Sequence, residues 1–183
     1  MTIRQVLRYP AEVLKTVARP VVDTDDIHGI FSDMIETMVA TEGVGIAAPQ
    51  IGISLRMIVV AENPQLTKIW KLVNPVLEQK FGDVESVEGC LSIPKVQVTL
   101  NRASRVIVSA LDDTGKEVRI DTGEGATANT FFAICLQHEI DHLNGITTLD
   151  RLSPLKRDMV LRRVRKLGLW SSNFPAPVLA SKK

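Results

Sequence analysis

The sequence predicts an α+β domain in which mostly antiparallel sheets pack around a central helix, flanked by an N-terminal and a C-terminal helix. Three observations carry this reading. Segments 25–42 and 128–143 repeat apolar residues at the period of a helix face. Between them lie short runs rich in β-branched residues, at 55–61, 71–76, 96–100, 105–111 and 117–122. No helical segment separates these runs, so parallel pairs lack the crossovers they need.

The elements follow in order. Pro10 opens a short helix expected to reach Ala18. Ile27, Ile30, Phe31, Met34, Ile35 and Met38 place the first long helix from about Asp25 to before Gly43. GVGIAAPQ at 43–50 is too rich in Gly and Ala for a packed strand or helix. It reads as a tight loop where the backbone approaches something closely. Val44 and Gly45 within it are expected to bind substrate. Asp112-Asp113-Thr114-Gly115 is a hairpin turn between the last two strands. The central helix runs from about Ala128 to Leu143 and stops at Asn144-Gly145. Ser153 caps a last helix, with Pro154 in its first turn and an end near Leu167. Leu155, Met159, Val160, Leu161, Val164 and Leu167 offer that helix a broad apolar face, and Lys156, Arg157, Arg162, Arg163, Arg165 and Lys166 are opposed only by Asp158. A tail over about 168–183 is expected to be irregular or loosely docked.

A chain of 183 residues fits one catalytic domain, 1–183, that buries roughly 70% of its unfolded surface without a staple. The net charge of +1 excludes strong global attraction to nucleic acid or membrane, and DNA is not an expected partner. No run of eighteen apolar residues exists, so no transmembrane helix is expected. Arg4, Gln5 and Arg8 interrupt the N-terminus, which lacks the apolar core of a signal peptide. A cytoplasmic protein with free Cys90 and Cys135 is the expectation.

The chemistry lies in the central helix. His138-Glu139-Ile140-Asp141-His142 is an H-E-x-x-H motif, whose histidines share one helical face and can reach one metal ion. Glu139 is then placed for proton transfer. A solvated face with two incidental histidines is the plainer alternative, but apolar Phe131, Ile134, Cys135 and Leu143 argue that the helix is buried. Buried histidines beside carboxylates would be costly without a task. Cys135 is a poor third ligand, because it lies about 10 Å from His142 along the axis at ~1.5 Å per residue. Cys90, in Glu88-Gly89-Cys90-Leu91-Ser92 beside a strand, can be carried to the helix by the fold. Cys/His/His leaves a fourth position open, as catalytic sites do. Glu88 is expected to fix a loop or a charged partner such as Arg102, and Asp141 to pair with Arg105 or Arg151. Phe131, Ile134, Cys135, His138 and His142 share one stripe, so the apolar turns beside the metal are a candidate pocket for a long unbranched side chain. A zinc endopeptidase and a non-catalytic metal-stabilised module remain as alternatives. The former more often takes a His or Glu third ligand, and the latter a fourth protein ligand, for which only His28 is left.

The ordered set of 43–50, 88–92 and 137–142 resembles the peptide deformylase family, and the likeness extends from the N-terminus through the last helix. The resemblance implies an enzyme that removes the formyl group from the N-terminal formyl-methionine of nascent polypeptides and releases formate. It implies one divalent metal on Cys90, His138 and His142, with Fe2+ as the native ion and Zn2+, Ni2+ or Co2+ able to replace it. It assigns proton handling to Glu139, and formyl-oxygen binding to the Gln50 side chain and the Leu91 backbone N–H. It allows a ribosome contact through the basic last helix. Two departures bear on substrate preference: Lys95 stands where such proteins often have Gly, and 122–129 is longer and more polar than expected.

Overall fold

The computed structural model describes residues 2–169 apart from 24, 124, 126 and 127. Among them, helix α1 spans Ile27–Ala40, α2 Thr130–Leu143 and α3 Pro154–Lys166. The strands are β1 Gly45–Ala47, β2 Met57–Ala61, β3 Ile69–Phe81, β4 Val84–Cys90, β5 Ile93–Arg102, β6 Arg105–Leu111 and β7 Glu117–Asp121. Each helix begins at a polar cap. Asp26 accepts from the Gly29 N–H, Asn129 from Phe132, and Ser153 from Lys156.

β1, β2, β3, β6 and β7 form one antiparallel sheet in that order, and β4 pairs with β5 in a separate hairpin. β2 explains how the layers stack. Ile58 and Val60 pack with Phe132, Leu136, Ile140 and Leu143 of α2. The alternate residues Met57 and Val59 pack with Phe31, Met34 and Met38 of α1. Both faces of the sheet are therefore covered, and all five residues of β2 are buried. A third cluster joins Ile93, Val96, Val98 and Leu100 of β5 to Val164 of α3.

The structure departs from expectation in four places. The helix expected over 10–18 is only a 3-10 turn, Glu12–Lys15. The 43–50 stretch is not wholly loop, since it holds β1 and the 3-10 turn Ala48–Ile51. β3 is longer than the 71–76 run, and β4 had no counterpart among the expected strands. The inward face of α3 is narrow: Val160 and Leu161 are half-buried and Val164 is buried, while Leu155, Met159 and Leu167 are exposed. The tail from residue 170 and part of the 122–129 loop lie outside the described residues. No described helix is long and apolar enough to cross a membrane.

Candidate metal centre

α2 lies against the sheet on its apolar side and is anchored at its polar positions. Gln137 clamps the β5–β6 corner. Its Nε2 donates to Ala103 O at 2.9 Å, and its Oε1 accepts from Ala103 N at 3.0 Å. One residue on, His138 faces the β4–β5 hairpin. Its Nδ1 donates to Glu88 Oε2 at 2.8 Å, which fixes the ring and leaves Nε2 as the ligand atom.

Glu88 is in turn held by Arg102, through Nε to Oε1 at 2.8 Å and Nη2 to Oε2 at 2.9 Å. Arg102 Nη1 reaches Asp141 Oδ2 at 2.6 Å, and Arg151 closes on the same carboxylate, its Nε 3.0 Å from Oδ2. Burial alone would push Glu88 up, but Arg102 and His138 outweigh it and hold the carboxyl down at about 2. The expected Glu88–Arg102 and Asp141–Arg151 pairs are both present. Arg105 instead pairs with Asp121, its Nη2 2.7 Å from Oδ2. The sharing of Arg102 between two carboxylates is what the sequence reading missed. A signal existed, because Arg102 falls in phase with the buried positions 96, 98 and 100 of β5.

Cys90, His138 and His142 meet as expected, with their ligand atoms all within 4.8 Å of one another. Cys90 Sγ lies 3.3 Å from His142 Nε2. Burial opposes ionisation of the Cys90 thiol, but the two imidazoles outweigh it and hold the thiol well below its ordinary value. Burial likewise works against a charged His138, while Cys90 and Glu88 drive it upward. A thiolate and two imidazoles crowded into one concave site form a donor set suited to a divalent ion. Cys135 takes no part. Burial pushes its thiol up to about 12, as suits a packed, inert cysteine. His28 is exposed on α1 and is not one of this group.

Glu139 stands beside the triad. Its carboxylate is buried, and Oε2 has no hydrogen-bond partner among the described residues. Burial raises its pKa to about 6. Gly45 makes its room, because a Cβ on Gly45 would come within 2.5 Å of Glu139 Oε1. From sequence alone Gly45 is expected only as a substrate contact. Gln50 is buried and does two things at once. Its Oε1 accepts from the Ala47 N–H at 2.8 Å, which forces Nε2 toward the site, 3.3 Å from Ser92 Oγ and 3.8 Å from Cys90 Sγ. Local capping and a donor aimed at the site thus coexist.

A groove of about 1540 Å³ opens over this group. Val44, Gly45, Gln50, Leu91, Phe131, Ile134, Cys135, His138 and Glu139 all line it. His142 does not, being 1% exposed beneath the floor.

A metal-dependent hydrolase is the class to which these constraints point, with three ligand atoms, an open side and a basic buried carboxylate facing a groove. Comparison with known proteins narrows the class. The sequence profile of the polypeptide deformylase family matches residues 3–158. Peptide deformylase of Thermodesulfovibrio yellowstonii is 41% identical over 168 residues, covering 90% of this chain and 98% of its own. The crystal structure of a peptide deformylase from Legionella pneumophila superposes with a TM-score of 0.82 at 42% identity, covering 95% of this chain and 100% of that one. That of the Ehrlichia chaffeensis enzyme in complex with actinonin gives 0.82 at 33% identity, over 91% and 98%.

The chain belongs to the polypeptide deformylase family. It is a hydrolase that removes the N-formyl group from newly made polypeptides, and Cys90, His138 and His142 fit the divalent metal this requires.

Proposed function

We propose that Cys90, His138 and His142 hold a single ferrous ion and that Glu139 is the acid/base. When bound, the metal acidifies water and polarises the formyl oxygen. Glu139 takes the proton from the water that attacks the formyl carbon, then delivers it to the leaving amine nitrogen. Burial works against the charged carboxylate of Glu139, which favours its taking up the proton that it later hands on. Gln50 Nε2 and the Leu91 backbone N–H donate to the oxygen as charge develops there, each such donor being worth about 3 kcal/mol. Phe131, Ile134 and Cys135, with Val44 and Gly45 across the groove, take the methionine side chain. The same groove is where actinonin would bind this chain.

One observation carries the reading: three ligand atoms within 4.8 Å beside a buried carboxylate oxygen that has no hydrogen-bond partner among the described residues. The test is an anaerobic assay of formate release from a formyl-methionyl peptide, with metal content measured on the same sample. About one iron per active chain is expected. Full activity from metal-free protein would overturn the assignment.

The cytoplasm, where chains starting with formyl-methionine emerge, is the proposed place of work. Exposed Arg162 and Lys166 on α3 also support a ribosome contact. Phosphate contacts make such binding salt-dependent. Co-sedimentation with ribosomes at low salt should be lost in Arg162→Glu/Lys166→Glu, and unchanged co-sedimentation would refute the contact.

A further inference from the structure

The β4–β5 hairpin slips in register beside the metal centre. Gly89 pairs with Gln97 but Cys90 with Ile93, which leaves Pro94, Lys95 and Val96 as a bulge. Lys95 has φ 62°, a left-handed conformation that glycine adopts freely and a lysine adopts at a steric cost. A strained residue kept beside a reaction centre invites a functional account. Lys95 is exposed and lines the groove.

Two further cations from other elements line the same groove. Arg8 precedes Tyr9, whose N–H bonds Ser92 O at 3.0 Å, so it is held beside the hairpin. Arg163 precedes Val164, which packs against Ile93 and Val96. All three cations therefore gather around the β5 side. Neither Lys95 nor Arg163 has an ion-pair partner among the described residues. Among the described residues, the acidic side chains of the lining do not offset Lys95 or Arg163 there. Glu88 is held by Arg102 and His138, Glu139 lies at the triad, and Glu42 sits on the segment between α1 and β1.

We propose that Lys95 and Arg163 form a cationic rim by which the enzyme favours nascent chains carrying Asp or Glu shortly after the formyl-methionine. An extended peptide advances about 3.3 Å per residue, so the few residues after the first remain within the groove these side chains line. The inference rests on the triad being the reaction centre.

The test uses amidated peptides formyl-Met-Ala-Xaa-Ser with Xaa as Asp, Ser or Lys, read as formate release by the metal-loaded enzyme. The Asp peptide should exceed the Lys peptide in kcat/KM by about three- to tenfold, the effect of one or two exposed ion pairs. The difference should lie in KM and should fade near 1 M salt, where the screening length is about 3 Å. Lys95→Gly/Arg163→Ser should collapse the ratio, and Lys95→Arg should keep it. Lys95→Gly should also melt higher than the parent, because glycine relieves the left-handed backbone, so a collapsed ratio would not reflect misfolding. Equal kcat/KM for the Asp and Lys peptides in the parent enzyme, or an unchanged ratio in the double variant, overturns the rim. Failure of all three peptides to release formate overturns the reaction-centre assignment instead.

Discussion

Gly45→Ala tests whether the position of the Glu139 carboxylate limits the reaction. The added methyl would sit 2.5 Å from Oε1 and 3.0 Å from both Cδ and Cγ of Glu139. Restoring an ordinary contact of 3.4 Å moves the carboxylate by about 0.9 Å. Misplacing a reacting group by about 1 Å costs on the order of a hundredfold in rate, or about 2.7 kcal/mol at about 1.36 kcal/mol per tenfold. The backbone does not resist the change, because Gly45 lies in β1 and is not among the positive-φ glycines. A fall of about a hundredfold in kcat is therefore expected, with metal content retained and the melting temperature lowered by roughly 2–12 °C. The assay is formate release at saturating formyl-Met peptide, repeated in a Glu139→Gln background. If Gly45 acts only through Glu139, adding Gly45→Ala to Glu139→Gln costs no further rate. A kcat within about twofold of the parent, or independent losses that multiply in the double variant, would refute the reasoning.

The remaining predictions concern ligands, proton transfer and the buried ions. Cys90→Ser should lose tight metal binding and activity, whereas Cys135→Ser should keep the metal; metal analysis showing the reverse would sink the ligand set. Glu139→Gln should keep its metal and lose most turnover. In metal-free protein Glu139 has its pKa raised to about 6 from 4.5, so the fold prefers the protonated carboxyl. That contribution is complete below pH 4.5 and is lost as pH rises through about 6, a swing of about 2 kcal/mol. Glutamine does not titrate, so in urea melts of chelated protein Glu139→Gln should gain on the parent between about pH 5 and pH 7, and parallel pH profiles would exclude this. Arg102→Leu leaves Glu88 and Asp141 without their shared cation and should cost about 3–5 kcal/mol in unfolding free energy; a loss below about 1 kcal/mol would show the network to be dispensable.

What was legible in the sequence follows from what is local. The three helices begin within about two residues of expectation, because apolar period and capping residue mark the same boundary. β4 escaped for the opposite reason. Its inward positions are Ser86 and Glu88, while Val87 is 66% exposed, so its hydropathy runs out of phase with its burial. β1 has only three residues and all are buried, which gives no alternation to detect. The metal triad was half legible. His138 and His142 share a helix, but bringing Cys90 to them depends on a hairpin that hydropathy did not find. The Lys95 conformation is less legible still, since it depends on a register slip between two strands.

The same contrast explains why one short helix organises so much of the site. Successive helical residues point about 100° apart, so 137 to 142 face different walls. Gln137 turns to the Ala103 corner, His138 and His142 to Cys90, Glu139 to the space beside Gly45, and Asp141 to Arg102 and Arg151. The fixed angle is readable from sequence, but the identity of each wall is not. Each wall also constrains α2 independently, so a rotation that improved one contact would spoil the others. Metal geometry and the base are thereby set by the same rigid body. That predicts that substitutions at Gln137, which touches neither metal nor groove, will move the metal ligands and the base together rather than one at a time.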